Sequence, residues 1–158
     1  MKKRIVVPIV ALTAFLAASL LTSCASPPPP PPQISMPVVL FYAYRSDFVG
    51  LSNEVRIANE TAIRILAEAL NAHEEVAIVL EGHANPTAAP GTPERAAEDA
   101  RLRALSVARA RAVQDRLIAL GVDRAMLAYV GLGTDRIVVQ FENVDDWWRN
   151  RRVEVRQR

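Results

Sequence analysis

The segment EVAIVLEG, Glu75 to Gly82, is a short and nearly continuous apolar run with a helical pattern on either side of it. Such a run reads as a strand buried on both faces, and a buried strand set between two helices requires a sheet with crossover connections. Upstream, Val55, Ala58, Ala62, Ile65, Leu66 and Leu70 recur at the spacing of one helical face within Asn53 to Ala72. Downstream, a second helix is expected from near Arg95 to about Leu120, stopped by Gly121. PVVLFYAY (Pro37 to Tyr44) reads as a strand, MLAYVGLG (Met126 to Gly133) as another, and RRVEVRQR (Arg151 to Arg158) alternates as a half-exposed last one. The order β-α-β-α-β-β predicts an α/β sandwich, a sheet with its helices on one face.

That pattern starts near Met36, and what precedes it is of another kind. Lys2, Lys3 and Arg4 lead an uncharged run from Ile5 to Leu21, then small residues reach Cys24, which reads as a secretory signal over residues 1–23. LTSC, Leu21 to Cys24, resembles the bacterial lipobox, in which the cysteine is lipidated and becomes the new N-terminus. Cys24 is the only cysteine of the chain, so an internal disulfide is excluded and a thiol consumed by lipid is the natural use. Several acyl chains on one residue give firm membrane anchoring. Pro27 to Pro32 form an unbroken proline run, an extended spacer of roughly 20 Å. The expected organisation is therefore a signal (1–23), a lipidated cysteine with a proline-rich spacer (24–35) and one domain (36–158). Once Lys2, Lys3 and Arg4 are removed, sixteen basic residues face seventeen acidic ones, so the basic isoelectric point belongs to the signal and nucleic acid is not an expected partner.

Few residues offer chemistry. His73 and His83 have no second ligand at metal spacing, Ser46, Ser52 and Ser106 sit in no nucleophile motif, and Gly131 to Gly133 lack a dinucleotide fingerprint. The acid pairs Glu98/Asp99 and Asp145/Asp146 read as solvated charges. No enzyme, cofactor or metal is expected. Trp147 and Trp148 precede Arg149, Arg151 and Arg152; they read as a loop anchor with an indole in the core or as a partner surface. Asn85 to Glu98, with three prolines and a glycine, is expected to be a long loop. On the second helix Arg109 falls among Leu102, Leu105, Ala112, Val113 and Leu120. A charge there needs a partner: an internal carboxylate, or an anionic ligand in a cleft. Arg116 falls in the same arc, so the wheel does not choose.

Six motifs in this order, VVLFYAY, EGH (Glu81 to His83), LSVARA (Leu105 to Ala110), LGV (Leu120 to Val122), GLG (Gly131 to Gly133) and NRRVEV (Asn150 to Val155), resemble the OmpA-like domain of peptidoglycan-associated lipoproteins, outer-membrane porin-like proteins and flagellar stator proteins. The resemblance covers Val38 to Arg156. It implies a mixed sheet and binding of the peptidoglycan stem peptide, where an aspartate takes the ammonium of meso-diaminopimelate and an arginine its carboxylate. The arginine matches Arg109, and the aspartate falls on Asn85. Two further pocket positions also depart from the pattern, at Tyr44 and Leu102. An asparagine offers no net charge, so the grip is expected to weaken by about 1 to 2 kcal/mol, unless Glu98 or Asp99 restores it. The implied role is a periplasm-facing outer-membrane lipoprotein, anchored through Cys24, with envelope proteins as further partners. The alternative is an envelope interaction module with lost or weakened wall binding.

Overall fold

The computed structural model describes residues 36–158; the signal, Cys24 and the proline run lie outside the described residues. In chain order the elements are β1 (Val38–Leu40), α1 (Asn53–Ala72), β2 (Ile78–Gly82), α2 (Pro93–Ala119), β3 (Leu127–Gly131) and β4 (Arg152–Gln157), with short 3-10 turns at Arg124–Met126 and Val144–Asn150. The sheet order is β1-β4-β2-β3. β2 and β3 run parallel on either side of the α2 crossover, and β4 lies antiparallel between β1 and β2. This is the α/β sheet that the pattern of elements predicted, with the mixed pairing that the resemblance implied.

Two boundaries differ from expectation, each for a local reason. β1 has three residues because Asn59 of α1 reaches over to Leu40, accepting from its N–H at 3.0 Å and donating to its carbonyl at 2.8 Å. Two residues past Phe41 the backbone enters the left-handed region, with Ala43 at φ +34°. α2 starts at Pro93, earlier than its apolar periodicity indicates, because the Thr92 hydroxyl accepts from the Arg95 N–H at 3.2 Å and proline fits the first turn. Glu98 and Asp99 are therefore helical residues, and the loop before them is shorter than Asn85 to Glu98.

The core lies between the helices and one face of the sheet. Strand alternation sends Val39, Phe41, Ile78, Leu80, Val153 and Val155 into it, against Leu66 and Leu70 of α1 and Val113 and Leu117 of α2. Of the two arginines on the α2 arc, Arg116 turns outward and lies 5.5 Å over the Phe48 ring, whereas Arg109 is wholly buried.

α2 reaches the sheet where two paired glycines remove side chains, Gly82 on β2 and Gly131 on β3. A Cβ on Gly82 would fall 1.9 Å from the Ser106 carbonyl oxygen, and one on Gly131 would fall 2.5 Å from the Val107 backbone nitrogen. These are backbone-to-helix contacts that no rotamer change relieves.

The other face of the sheet carries charge. Arg136 and Arg156 reach the Glu81 carboxylate at 2.9 and 3.4 Å, and Arg152 reaches Glu154 at 2.7 Å. His83 sits among them, 1% exposed, with no hydrogen-bond partner on either ring nitrogen. Burial, reinforced by the positive charge of Arg152, holds its pKa down at about 4.

Gly82→Ala is expected to lower the urea midpoint by the equivalent of about 3 kcal/mol, the upper range for overpacking a tight contact; a midpoint unchanged would mean α2 is free to lift. His83 gives a pH prediction. Its folded pKa lies below its unfolded value, so the unfolded chain takes up a proton first as pH falls. Stability is full above pH 6.5 and is expected to drop by about 2 kcal/mol between pH 6.5 and 4.5. Glu98, Asp99 and Glu154 have lowered pKa values, so their contribution is lost at lower pH still. Urea unfolding of wild type and His83→Gln across that window checks this, the variant showing the flatter profile.

Candidate functional site

Arg109 enters the core from α2 and its partners are all backbone. Its Nε donates to the Arg45 carbonyl at 2.9 Å, Nη1 to the His83 carbonyl at 2.9 Å, and Nη2 to the Ala43 carbonyl. Its guanidinium carbon lies 5.5 Å over the Phe41 ring. Among the described residues no carboxylate pairs with it. Burial, then the nearby charge of Arg151, lowers its pKa to about 10, which leaves it charged at neutral pH. The wheel left open an internal acid or a ligand. The structure gives a third arrangement, in which carbonyl dipoles solvate the cation and leave its charge standing.

A narrow cleft of about 20 Å³ lies beside this arginine, lined by Ala43, Tyr44, Asn85, Thr87, Leu105 and Arg151. That volume holds about one water molecule. Of the residues singled out in the sequence, Tyr44 and Asn85 line the cleft. Arg109 stands behind it, bonded to the carbonyl of the lining residue Ala43. Leu102 is fully buried elsewhere on α2, and Leu105 takes the place at the cleft. Arg151 and Thr87 were not assigned to the site from sequence. Arg151 had a signal, since adjacent residues entering a strand point to opposite sides and Arg152 is on the far face.

Asn85 is oriented by a chain of amides. The Asn150 side-chain oxygen accepts from the backbone N–H groups of Val138 and Val139 at 2.8 and 3.0 Å. Its amide nitrogen must then donate, to the Val139 carbonyl at 2.8 Å and to the Asn85 Oδ1 at 2.9 Å. Asn85 in turn donates to the Pro86 carbonyl at 2.7 Å. A neutral amide satisfies both neighbours, whereas a carboxylate here would set one oxygen against the Pro86 oxygen.

The negative charge nearest the cleft is Glu98. Thr87 donates to it through its N–H at 2.9 Å and its hydroxyl at 2.7 Å, and Ala88 N–H at 3.2 Å. The Tyr44 hydroxyl reaches Thr87 at 3.1 Å and Glu98 at 3.4 Å, closing the mouth of the cleft. Burial pushes the Glu98 carboxyl up, but the bonds from Thr87 and Ala88 and the Arg101 charge outweigh it, and it stays below the usual carboxylate range. Asp99 points away, to Arg95 at 2.8 Å and Thr134 at 3.1 Å.

Elsewhere, Glu81, His83 and Glu154 bring potential ligand atoms within 4.8 Å of one another, a cluster that residue spacing did not reveal. Both carboxylates are already paired with arginines, so the donor set does not suit a cation. The two tryptophans part company. Trp147 packs on Phe141 at 5.4 Å and donates to its carbonyl at 3.0 Å, so it anchors the loop, but it is only half-buried and lies outside the core, against expectation, while Trp148 stays half exposed. Among the described residues no helix is long and apolar enough to cross a membrane.

Comparison with known proteins places this geometry in context. The sequence pattern of the OmpA family matches residues 50–151. A peptidoglycan-associated lipoprotein of Mesorhizobium japonicum is 33% identical over 102 residues, 65% of this chain and 55% of that protein. Another of the same description from Pseudomonas aeruginosa is 38% identical over 80 residues, 51% of this chain and 42% of that one. The chain thus spans about half the length of these curated relatives. Among solved structures, the peptidoglycan-associated lipoprotein from Burkholderia pseudomallei superposes with a TM-score of 0.61 at 23% identity, covering 77% of this chain and 89% of that one. The OmpA-like domain of FopA1 from Francisella tularensis gives 0.60 at 21% identity, covering 77% and 71%. The C-terminal domain of Helicobacter pylori MotB gives 0.59 at 17%, covering 77% and 84%. The structures establish the fold, and with the match over residues 50–151 the chain belongs to the OmpA family.

Proposed function

We propose that this protein is a non-catalytic tether between the outer membrane and peptidoglycan. Lipid on Cys24 holds the membrane, the Pro27–Pro32 run spans the gap, and the domain binds the acidic end of a stem peptide at the cleft between Tyr44, Asn85 and Arg151. The observation that carries this reading is the uncompensated charge at that cleft. Among the described residues Arg109 has no acid partner, Arg151 lines the opening, and Glu98 is engaged by Thr87 and Ala88. A carboxylate is the ligand such a place attracts. Both curated relatives being described as peptidoglycan-associated lipoproteins supports the same assignment.

A second reading is an envelope interaction module with weakened wall binding. It is favoured by the cleft's small volume, about 20 Å³ with Tyr44 across its mouth, and by the neutral residue at position 85. The two readings separate in one assay, sedimentation of the protein with purified sacculi.

In that assay the wild type is expected to pellet with sacculi, and Arg151→Gln to bind about tenfold more weakly with its melting temperature unchanged, the loss of one charge-assisted bond. No pelleting of wild type at any salt concentration supports the second reading. Asn85→Asp is expected to behave oppositely in its two measurements. The unliganded domain loses about 1 kcal/mol, since a carboxylate oxygen replaces a donor facing Pro86, while sacculus binding tightens about tenfold because an incoming ammonium would occupy that gap. Tightening without destabilisation would mean that the Asn150–Asn85–Pro86 chain does not constrain the site.

A further inference from the structure

The face of the sheet that carries no helix holds a second opening, larger than the cleft. It is a groove of about 350 Å³ between β1, the start of β4 and the turn at Val144–Asn150, within the range of about 300 to 1,000 Å³ usual for binding sites. Val38, Leu40, Val138 and Trp148 form its apolar walls, and Arg149, Arg152 and Glu154 supply its charge. Strand alternation explains the walls: Val39 and Phe41 enter the core, so Val38 and Leu40 face away from it. Val38, Val138 and Trp148 remain 49%, 53% and 47% exposed, a cluster of large apolar surface that no described residue covers.

We propose that this groove docks an extended peptide segment of a partner protein in which an acidic side chain stands beside a branched or aromatic apolar one. The charge decides the acid. Two arginines face one glutamate, and Glu154 is already held by Arg152 Nε at 2.7 Å. Arg152 is 4% exposed, its Nη2 donates to the Arg136 carbonyl at 3.2 Å, and its Nη1 has no acceptor among the described residues. Arg149 forms no ion pair among the described residues. A groove with surplus positive charge and a buried guanidinium short of one acceptor selects a carboxylate.

The walls decide the rest. Trp and Arg side by side at the rim of an apolar depression are the residue types that dominate protein–protein hot spots. Strand addition is not the mode. At Leu40 both outward backbone groups are taken by Asn59, at 3.0 and 2.8 Å, which caps the sheet edge. The peptide therefore lies across the face, held by side chains. This site is separate from the cleft, because consecutive residues serve the two: Arg151 lines the cleft and Arg152 the groove.

The test is selection from a random heptapeptide library on the full mature protein, followed by affinity measurement on the selected peptide and on its Glu-to-Gln or Asp-to-Asn counterpart. Expected are enrichment of an acidic residue adjacent to Val, Ile, Leu or Phe, at least tenfold weaker binding of the neutral counterpart, and a similar loss in Trp148→Ala and Arg149→Gln. Both variants alter exposed side chains and should melt with the wild type and pellet with sacculi as it does. Equal binding of the acidic and neutral peptides, enrichment of basic peptides, or no peptide enriched overturns the proposal. So does displacement of the selected peptide by micromolar decanoate, which would make the groove a site for a small amphipathic carboxylate. Self-association of wild type that Trp148→Ala abolishes would assign the groove to a second copy and overturn it equally.

Discussion

A single guanidinium organises the end of the domain where the cleft lies. Arg109 collects the carbonyls of Ala43, Arg45 and His83, which come from the segment between β1 and α1 and from the residue just past β2. Burying an unpaired cation is costly, and hydrogen bonds to a charged group contribute about 1.5 to 3 kcal/mol each; three of them make the burial tolerable. The arrangement also sets backbone geometry. Ala43 has φ +34°, a conformation non-glycine residues adopt only when their surroundings impose it. With its carbonyl turned to Arg109, Ala43 places Tyr44 over the cleft. Removing the arginine would leave three carbonyls without a donor and release the wall of the site as well as its charge.

The loop between β2 and α2 depends on polar contacts more than on packing. Asn150 reads two backbone N–H groups of the 138–139 segment and passes its own amide hydrogens to Val139 and Asn85. Glu98 then fixes Thr87 and Ala88 from the helix side. Each group in these chains has its orientation dictated by the one before it, so the loop is specified although few apolar side chains hold it. The close approach of α2 permitted by Gly82 and Gly131 is what puts Glu98 and Arg109 within reach of it.

The order of elements was legible because β2 is bounded by two helical periodicities. Its apolar run read as burial on both faces, whereas the helices cover one face and the other carries Glu81, Glu154 and their arginines. What escaped was decided by contacts between distant residues. The shortness of β1 comes from Asn59, nineteen residues away. The early start of α2 lay in plain view, in the Thr92–Pro93 pair, but apolar periodicity does not report caps. Of the residues lining the cleft, Asn85 and Tyr44 stand out through the family pattern, and Arg109 behind it through a charge misplaced on an apolar arc. That its partners would be carbonyls could not be read, since any backbone supplies them. Leu102, matched by position to a pocket residue, is fully buried and is not among the residues lining the cleft.

The asparagine at position 85 and the glutamate at position 98 are best understood together. A carboxylate at 85 would stand in the same short loop that Glu98 already braces through Thr87 and Ala88, and the two acids would repel across a partly desolvated space. With Glu98 satisfied by the Thr87 N–H and hydroxyl and the Ala88 N–H, its charge goes into loop stability, and a neutral amide at 85 avoids the repulsion while completing the bond from Asn150. On the proposed reading, recognition bears the cost. An acid at 85 would address the ammonium of a zwitterionic stem-peptide end, whereas this arrangement leaves the cleft with arginine charge and carbonyl dipoles, which would address its carboxylate. The negative charge of this loop stands at Glu98, where it holds Thr87 and Ala88, and not at position 85. If the cleft binds the wall, the balance between affinity and loop order is set by where that one carboxylate sits.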